Sequence, residues 1–153
     1  MDKFSQSEQI GRTLLKSFLD QYGAINQQPT TDKYNPVDYY FEYKGQKVVA
    51  EIKCRDIRYM NYSTHIIEET KLKNLLQAKK DGNCNYAYYI NFFGDYVYWY
   101  NTDKIIKNAT INNLYCNRTT AEYNGKTDKL IREIPTGLAM KFVKTDGKWS
   151  RMS

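Results

Sequence analysis

Residues 35–54 read NPVDYYFEYKGQKVVAEIKC, and the pairing within this stretch decides the fold. Residues 37–43 and 47–54 are rich in aromatic and β-branched side chains, and Lys44-Gly45 lies between them, so the stretch reads as a β-hairpin. With a two-residue loop, Tyr43 faces Gln46, Glu42 faces Lys47, Phe41 faces Val48 and Tyr40 faces Val49. Continuing the ladder sets Asp38 opposite Glu51. Side chains alternate along a strand, so Lys53 shares the face of Glu51 while Ile52 points the other way. Two carboxylates facing each other across a ladder repel unless a cation sits between them. Mg²⁺, commonly held by one or two carboxylates together with waters and substrate phosphate, meets that need. The prediction depends on an even loop. A three-residue loop would slip the register by one and send Asp38 to the opposite face.

The bland alternative is a solvated hairpin whose Glu and Lys simply face water. Burial argues against it: Val48, Val49, Ala50 and Ile52 form a nearly continuous apolar strand of the kind covered on both faces. Charges inside such a strand need a reason to be there.

Composition bounds the rest. A chain of 153 residues, 41% hydrophobic and 26% charged, reads as one soluble globular domain over 1–153. Its core is expected over about 5–101, with an extension over 102–153. No apolar run reaches transmembrane length and Met1-Asp2-Lys3-Phe4 does not open a signal peptide, so the expected compartment is the cytoplasm. Cys54, Cys84 and Cys116 lack the spacing of a disulfide framework or a zinc site. In a reducing compartment the Asn61, Asn108 and Asn117 sequons are chance products of an Asn-rich sequence. The net charge of +6 permits a polyanionic partner without demanding one.

Along the chain, residues 5–22 read as a helix whose stripe is Ile10, Leu14, Phe18 and Tyr22, widened by Leu15 and Leu19. Ser5-Gln6-Ser7-Glu8 matches a capping box at its start and Gly23 a stop at its end. A polar loop follows, up to Pro36. After the first hairpin and an irregular polar segment, residues 66–80 read as a helix with Leu72, Leu75 and Leu76 on one face. Residues 86–93 and 96–101 form a second hairpin turning at Gly94-Asp95, and residues 128–134 and 138–144 are candidate C-terminal strands. The expected class is α/β, with α+β as the alternative: a mixed central sheet flanked by helices, in the order α-β-β-α-β-β plus C-terminal strands.

At Pro36, Asp38 and Glu51-Ile52-Lys53, set between an amphipathic helix and a following helix and strands, the chain resembles the PD-(D/E)xK nuclease superfamily. This is the restriction-endonuclease-like fold that includes Holliday-junction resolvases and many phage nucleases. The resemblance covers roughly residues 5–101. It implies Asp38, Glu51 and Lys53 as catalytic residues, and Asp38, Glu51 and the Ile52 carbonyl as ligands of Mg²⁺, with Mn²⁺ as a substitute. Glu8 matches the extra glutamate that some resolvases supply from the first helix; its competing role is the capping box. The implied activity is metal-assisted hydrolysis of DNA, with branched DNA a candidate substrate and a homodimer the expected assembly. Lys53 would position or deprotonate water, or stabilise the transition state. A phage-encoded, resolvase-like enzyme in the host cytoplasm fits this reading. A nuclease-fold protein that binds nucleic acid or a protein without cutting is the alternative from another class. A Tyr-rich interaction domain is a third.

Arg55 and Arg58 follow Lys53 directly, and Lys71 and Lys73 sit on the next helix, so all four are candidate DNA-phosphate contacts. The lone histidine, His65, reads as a bystander. The Tyr-rich runs at 86–89 and 96–100 are aromatic on both faces, which favours packing over base stacking.

Overall fold

The computed structural model describes residues 3–30, 37–117 and 125–152. Pro36 lies outside the described residues. Helix α1 runs Lys3–Tyr22 and strands β1 (Ile25–Pro29), β2 (Tyr39–Tyr43) and β3 (Gln46–Cys54) follow. Then come β4 (Thr64–Glu68), α2 (Glu69–Asp81), β5 (Tyr86–Phe93), β6 (Tyr96–Asn101) and α3 (Thr102–Asn108). Strands β7 (Thr110–Asn117), β8 (Lys126–Pro135), β9 (Met140–Thr145) and β10 (Lys148–Arg151) complete the chain. Seven strands form a mixed sheet in the order β1-β2-β3-β5-β6-β9-β10, and β4-β8-β7 form a second sheet.

The predicted register is the observed one: Tyr43 pairs with Gln46, Phe41 with Val48 and Tyr39 with Ala50. Lys44 (φ 51°) and Gly45 (φ 77°) both lie in the left-handed region, as a type I′ turn requires. Gly45 takes that conformation freely, whereas Lys44 does so at a cost of roughly 1–2 kcal/mol. The cross-strand pairs and the burial they secure offset that cost.

Strand β3 pairs antiparallel with β2 on one side and parallel with β5 on the other, and α2 makes the crossover. Its even-numbered side chains (Val48, Ala50, Ile52) pack beneath α1 with Phe92 and Trp99, while Val49 packs with Leu72, Leu75 and Tyr89 on the α2 side. Side-chain alternation therefore directs Glu51 and Lys53 to the α2 face.

The buried stripe of α1 is Gly11, Leu15, Phe18 and Leu19. Ile10 and Tyr22 are exposed, so the stripe is rotated from the one expected. Gly11 explains the rotation. A Cβ there would stand 2.8 Å from Ile52 Cγ2 and 3.1 Å from Cys54 Sγ, so only glycine lets α1 seat this close to β3. The helix ends as predicted at Gly23 (φ 79°), where Ala24 N–H reaches back to Leu19 O at 3.0 Å. It begins at Lys3, so Ser5 lies inside it and not at an N-cap.

Other expectations need correction. The polar stretch after α1 contains β1, an exposed edge strand that its backbone pairing with β2 creates. Residues 66–68 belong to β4, because Thr64–Glu68 pair with β8 over five residues before the chain turns into α2. Residues 102–117 and 125–152 supply α3, two strands of the large sheet and two of the small one, so they are built into the fold and do not merely extend it.

Candidate active site

Strand β2 begins at Tyr39, opposite Ala50, whereas β3 continues past that pair to Cys54 along β5. Asp38 occupies the step this leaves. Its amide donates to Ala50 O at 3.1 Å and its carbonyl accepts from Thr30 N–H at 2.9 Å. Its Oδ2 accepts the Ile52 amide at 2.8 Å, in place of the strand partner that β3 has lost. Asp38 also stands against Glu51, close enough for its charge to act on that carboxyl.

Glu51 is buried, only 8% exposed. Burial, then repulsion from Asp38, raise its pKa well above the usual carboxylate value, against the opposing pull of Lys71 and Lys53. The Lys71 ammonium lies 3.9 Å from Glu51 Oε1. Lys53 is half-buried, and burial followed by repulsion from Arg55 lowers its pKa to about 8 despite Glu68 and Glu51. The structure thus gathers Asp38, Glu51, Lys53 and Lys71, with Glu68 close enough to act on Lys53.

No cluster of three or more His, Cys, Asp or Glu side chains suited to a metal occurs among the described residues. The donor set is therefore two carboxylates plus backbone, which suits Mg²⁺ better than a metal that needs an all-protein cage. A buried carboxyl pressed against a second carboxylate is an arrangement that a divalent cation would relieve. The Ile52 amide faces Asp38, and in an extended strand the carbonyl of the same residue faces the same edge, so it is available as a further ligand.

Of the other candidates, Glu8 is on α1, one turn before Gly11, and lies 4.0 Å from Arg12. Arg55 points inward: Nε donates to Asn91 Oδ1 at 3.4 Å, and Nη2 to Tyr89 Oη at 3.2 Å and Ile66 O at 3.3 Å. These bonds tie the segment just after β3 to β5 and β4. Arg58 is exposed, 3.6 Å from Asp56 and stacked over Tyr59. Lys73 is exposed on α2. His65 is core, bonded to Tyr100 Oη at 2.7 Å and Met60 O at 3.1 Å. A carbonyl can only accept, so Nε2 carries the proton and Nδ1 accepts from Tyr100. Tyr89, Tyr98, Trp99 and Tyr100 are buried, as the packing interpretation expected.

Sequence reasoning missed Glu68 and its neighbour Glu69. Glu68 pairs with Lys129 at 2.6 Å, and Glu69 is held by Arg132 in a two-pronged contact at 2.7 and 3.1 Å. These bridges fix β8 to the start of α2, the helix that carries Lys71. Adjacent acidic residues at a strand-to-helix junction were the available signal.

No protein-family model matches the sequence, and no curated protein sequence gives a significant match. Among solved structures, the chain is similar to Hjc of Archaeoglobus fulgidus, a Holliday junction resolvase from an archaeal hyperthermophile. The TM-score is 0.55 at 9% sequence identity, over 85% of this chain and 89% of that one. The likeness is one of fold: a mixed sheet flanked by helices, the architecture expected from the order of elements along the chain.

Proposed function

We propose that this protein is a divalent-metal-dependent endonuclease that hydrolyses DNA phosphodiester bonds, with branched DNA as its substrate. One observation carries the proposal: Asp38, Glu51 and Lys53 stand together where β3 outruns β2, with a buried carboxyl set against a second one. Asp38, Glu51 and the Ile52 carbonyl would hold Mg²⁺, which when bound supplies charge neutralisation and acidifies water. Lys53, with its pKa lowered to about 8, can exchange a proton near neutral pH. It would hold the attacking water in line and then, as an ammonium, stabilise charge on the phosphate. Lys71, drawn to Glu51 at 3.9 Å, is free to turn to a phosphate oxygen once that carboxylate is otherwise neutralised. A homodimer would offer two such sites to the arms of a junction.

The test is cleavage of linear, single-stranded and four-way-junction DNA with and without Mg²⁺, alongside Lys53→Ala and Asp38→Ala. Metal-dependent junction cutting that both substitutions abolish supports the reading. Binding without cutting would instead identify a non-catalytic DNA-binding member of the fold.

A further inference from the structure

On the sheet face opposite Asp38, beyond the last turn of α1, lies a partly open cavity of about 530 Å³. Its walls include Phe18, Phe41, Tyr88, Trp99 and Phe142, with Met140 in the floor beside Trp99. Lys44 and Arg151 stand at its edge, and no acidic residue lines it. Both cations are exposed, and neither has a carboxylate partner among the described residues. The indole N–H of Trp99, a residue only 5% exposed, also has no hydrogen-bond partner among them.

We infer that this cavity binds a small amphipathic organic anion, such as a long-chain carboxylate, whose apolar body fills the aromatic chamber while its head group meets Lys44 and Arg151. The volume is that of a small-molecule site, and an apolar wall with a few placed polar groups is the usual make-up of one. A nucleotide suits it poorly. Base edges need several hydrogen-bond partners, and Gln46 and the Trp99 N–H are nearly all that the walls offer beyond tyrosine hydroxyls. A second copy of this chain suits it poorly too, since a two-fold interface built on this cavity would cover Lys44 and Arg151 with a surface whose lining holds no acidic residue to pair them. The site is separate from the Asp38–Glu51 face, so it holds whether or not the chain cuts DNA.

The probe is sodium dodecanoate, titrated below its micelle concentration into the full-length protein by isothermal titration calorimetry, with dodecyltrimethylammonium as the opposite-charge control. The expected result is saturable one-to-one binding of dodecanoate and none of the cation. Lys44→Glu with Arg151→Glu should weaken binding about tenfold or more through reversed head-group charge. Met140→Trp, at a half-buried floor position, should abolish it by filling the cavity, while circular dichroism shows both variants folded. Absence of saturable binding, equal binding of the cation, or binding indifferent to either variant overturns the proposal. So does a wild-type dimer in sedimentation velocity that Met140→Trp dissociates, because a second copy would then be the occupant.

Discussion

Replacing Lys53 by Met should stabilise the metal-free protein below pH 8 while removing any DNA cleavage. Burial and Arg55 together hold the Lys53 pKa at about 8 against an ordinary 10.5. That value is already net of the attraction from Glu68 and Glu51. The gap corresponds to a ceiling of about 3 kcal/mol, at about 1.36 kcal/mol per pKa unit. Lys53 is only half-buried, and solvent screening reduces the effect to about 1–3 kcal/mol. The sign follows from proton counting. Below pH 8 both folded and unfolded chains carry the ammonium, and the folded chain bears the full penalty. Between about 8 and 10.5 the unfolded chain binds more protons, so this contribution to stability improves as pH rises and then levels off. The Met variant has no such group, so its advantage is full at pH 6.5 and shrinks by pH 9.5. For a domain of this size that advantage is a melting-temperature gain of about 3–10 °C. Urea denaturation of wild type and variant in EDTA, at pH 6.5, 8 and 9.5, measures it. A variant less stable than wild type at pH 6.5, or an advantage that does not change with pH, refutes the electrostatic account of Lys53.

Three further outcomes follow from the same structure. Mg²⁺ binding should release protons and strengthen with pH, because Glu51 must ionise to act as a ligand and burial with Asp38 holds its pKa up; calorimetry in buffers of different ionisation enthalpy reads the release, and a heat independent of buffer contradicts it. Asp38→Asn keeps an acceptor for the Ile52 amide but loses the charge, so the fold should persist while cleavage drops more than about a hundredfold; unfolding, or unchanged cleavage, counts against the assigned role. Gly11→Ala should cost about 1–3 kcal/mol in urea denaturation by pressing a methyl group against Ile52, whereas Thr13→Ala on the exposed side of α1 should cost under about 0.5 kcal/mol.

The parts of the fold that sequence disclosed were those written locally. The register of β2 and β3 follows from a two-residue turn, and the β5–β6 hairpin from its Gly94-Asp95 turn, so counting along the chain was sufficient. Strand β1 was hidden because its residues are mostly exposed and polar; hydrogen bonds to β2 make it a strand, and these leave no hydrophobic period. Strand β4 was read as the beginning of a helix because its partner, β8, lies over sixty residues away. The seating of α1 depends on the missing side chain of Gly11, which a search for apolar stripes passes over. Arg55 was legible as a cation near Lys53, yet its direction depends on Asn91, Tyr89 and Ile66, which only the folded sheet assembles.

The geometry of the site follows from a mismatch in strand length. Residues 51–54 of β3 keep their parallel partners on β5 past the pair at which β2 begins, so one edge of β3 is left with an unpaired amide at Ile52. A partly buried amide without an acceptor is costly, and the side chain of the residue just before β2, Asp38, supplies one. That bond directs a carboxylate toward the strand end, where alternation has already set Glu51 and Lys53 on the α2 face. One Asp38 oxygen is thereby committed to structure, which leaves the other, with Glu51, for the cation of the proposed site. A structural need and a chemical one thus converge on Asp38, which is why its placement follows from the same register that pairs Tyr39 with Ala50.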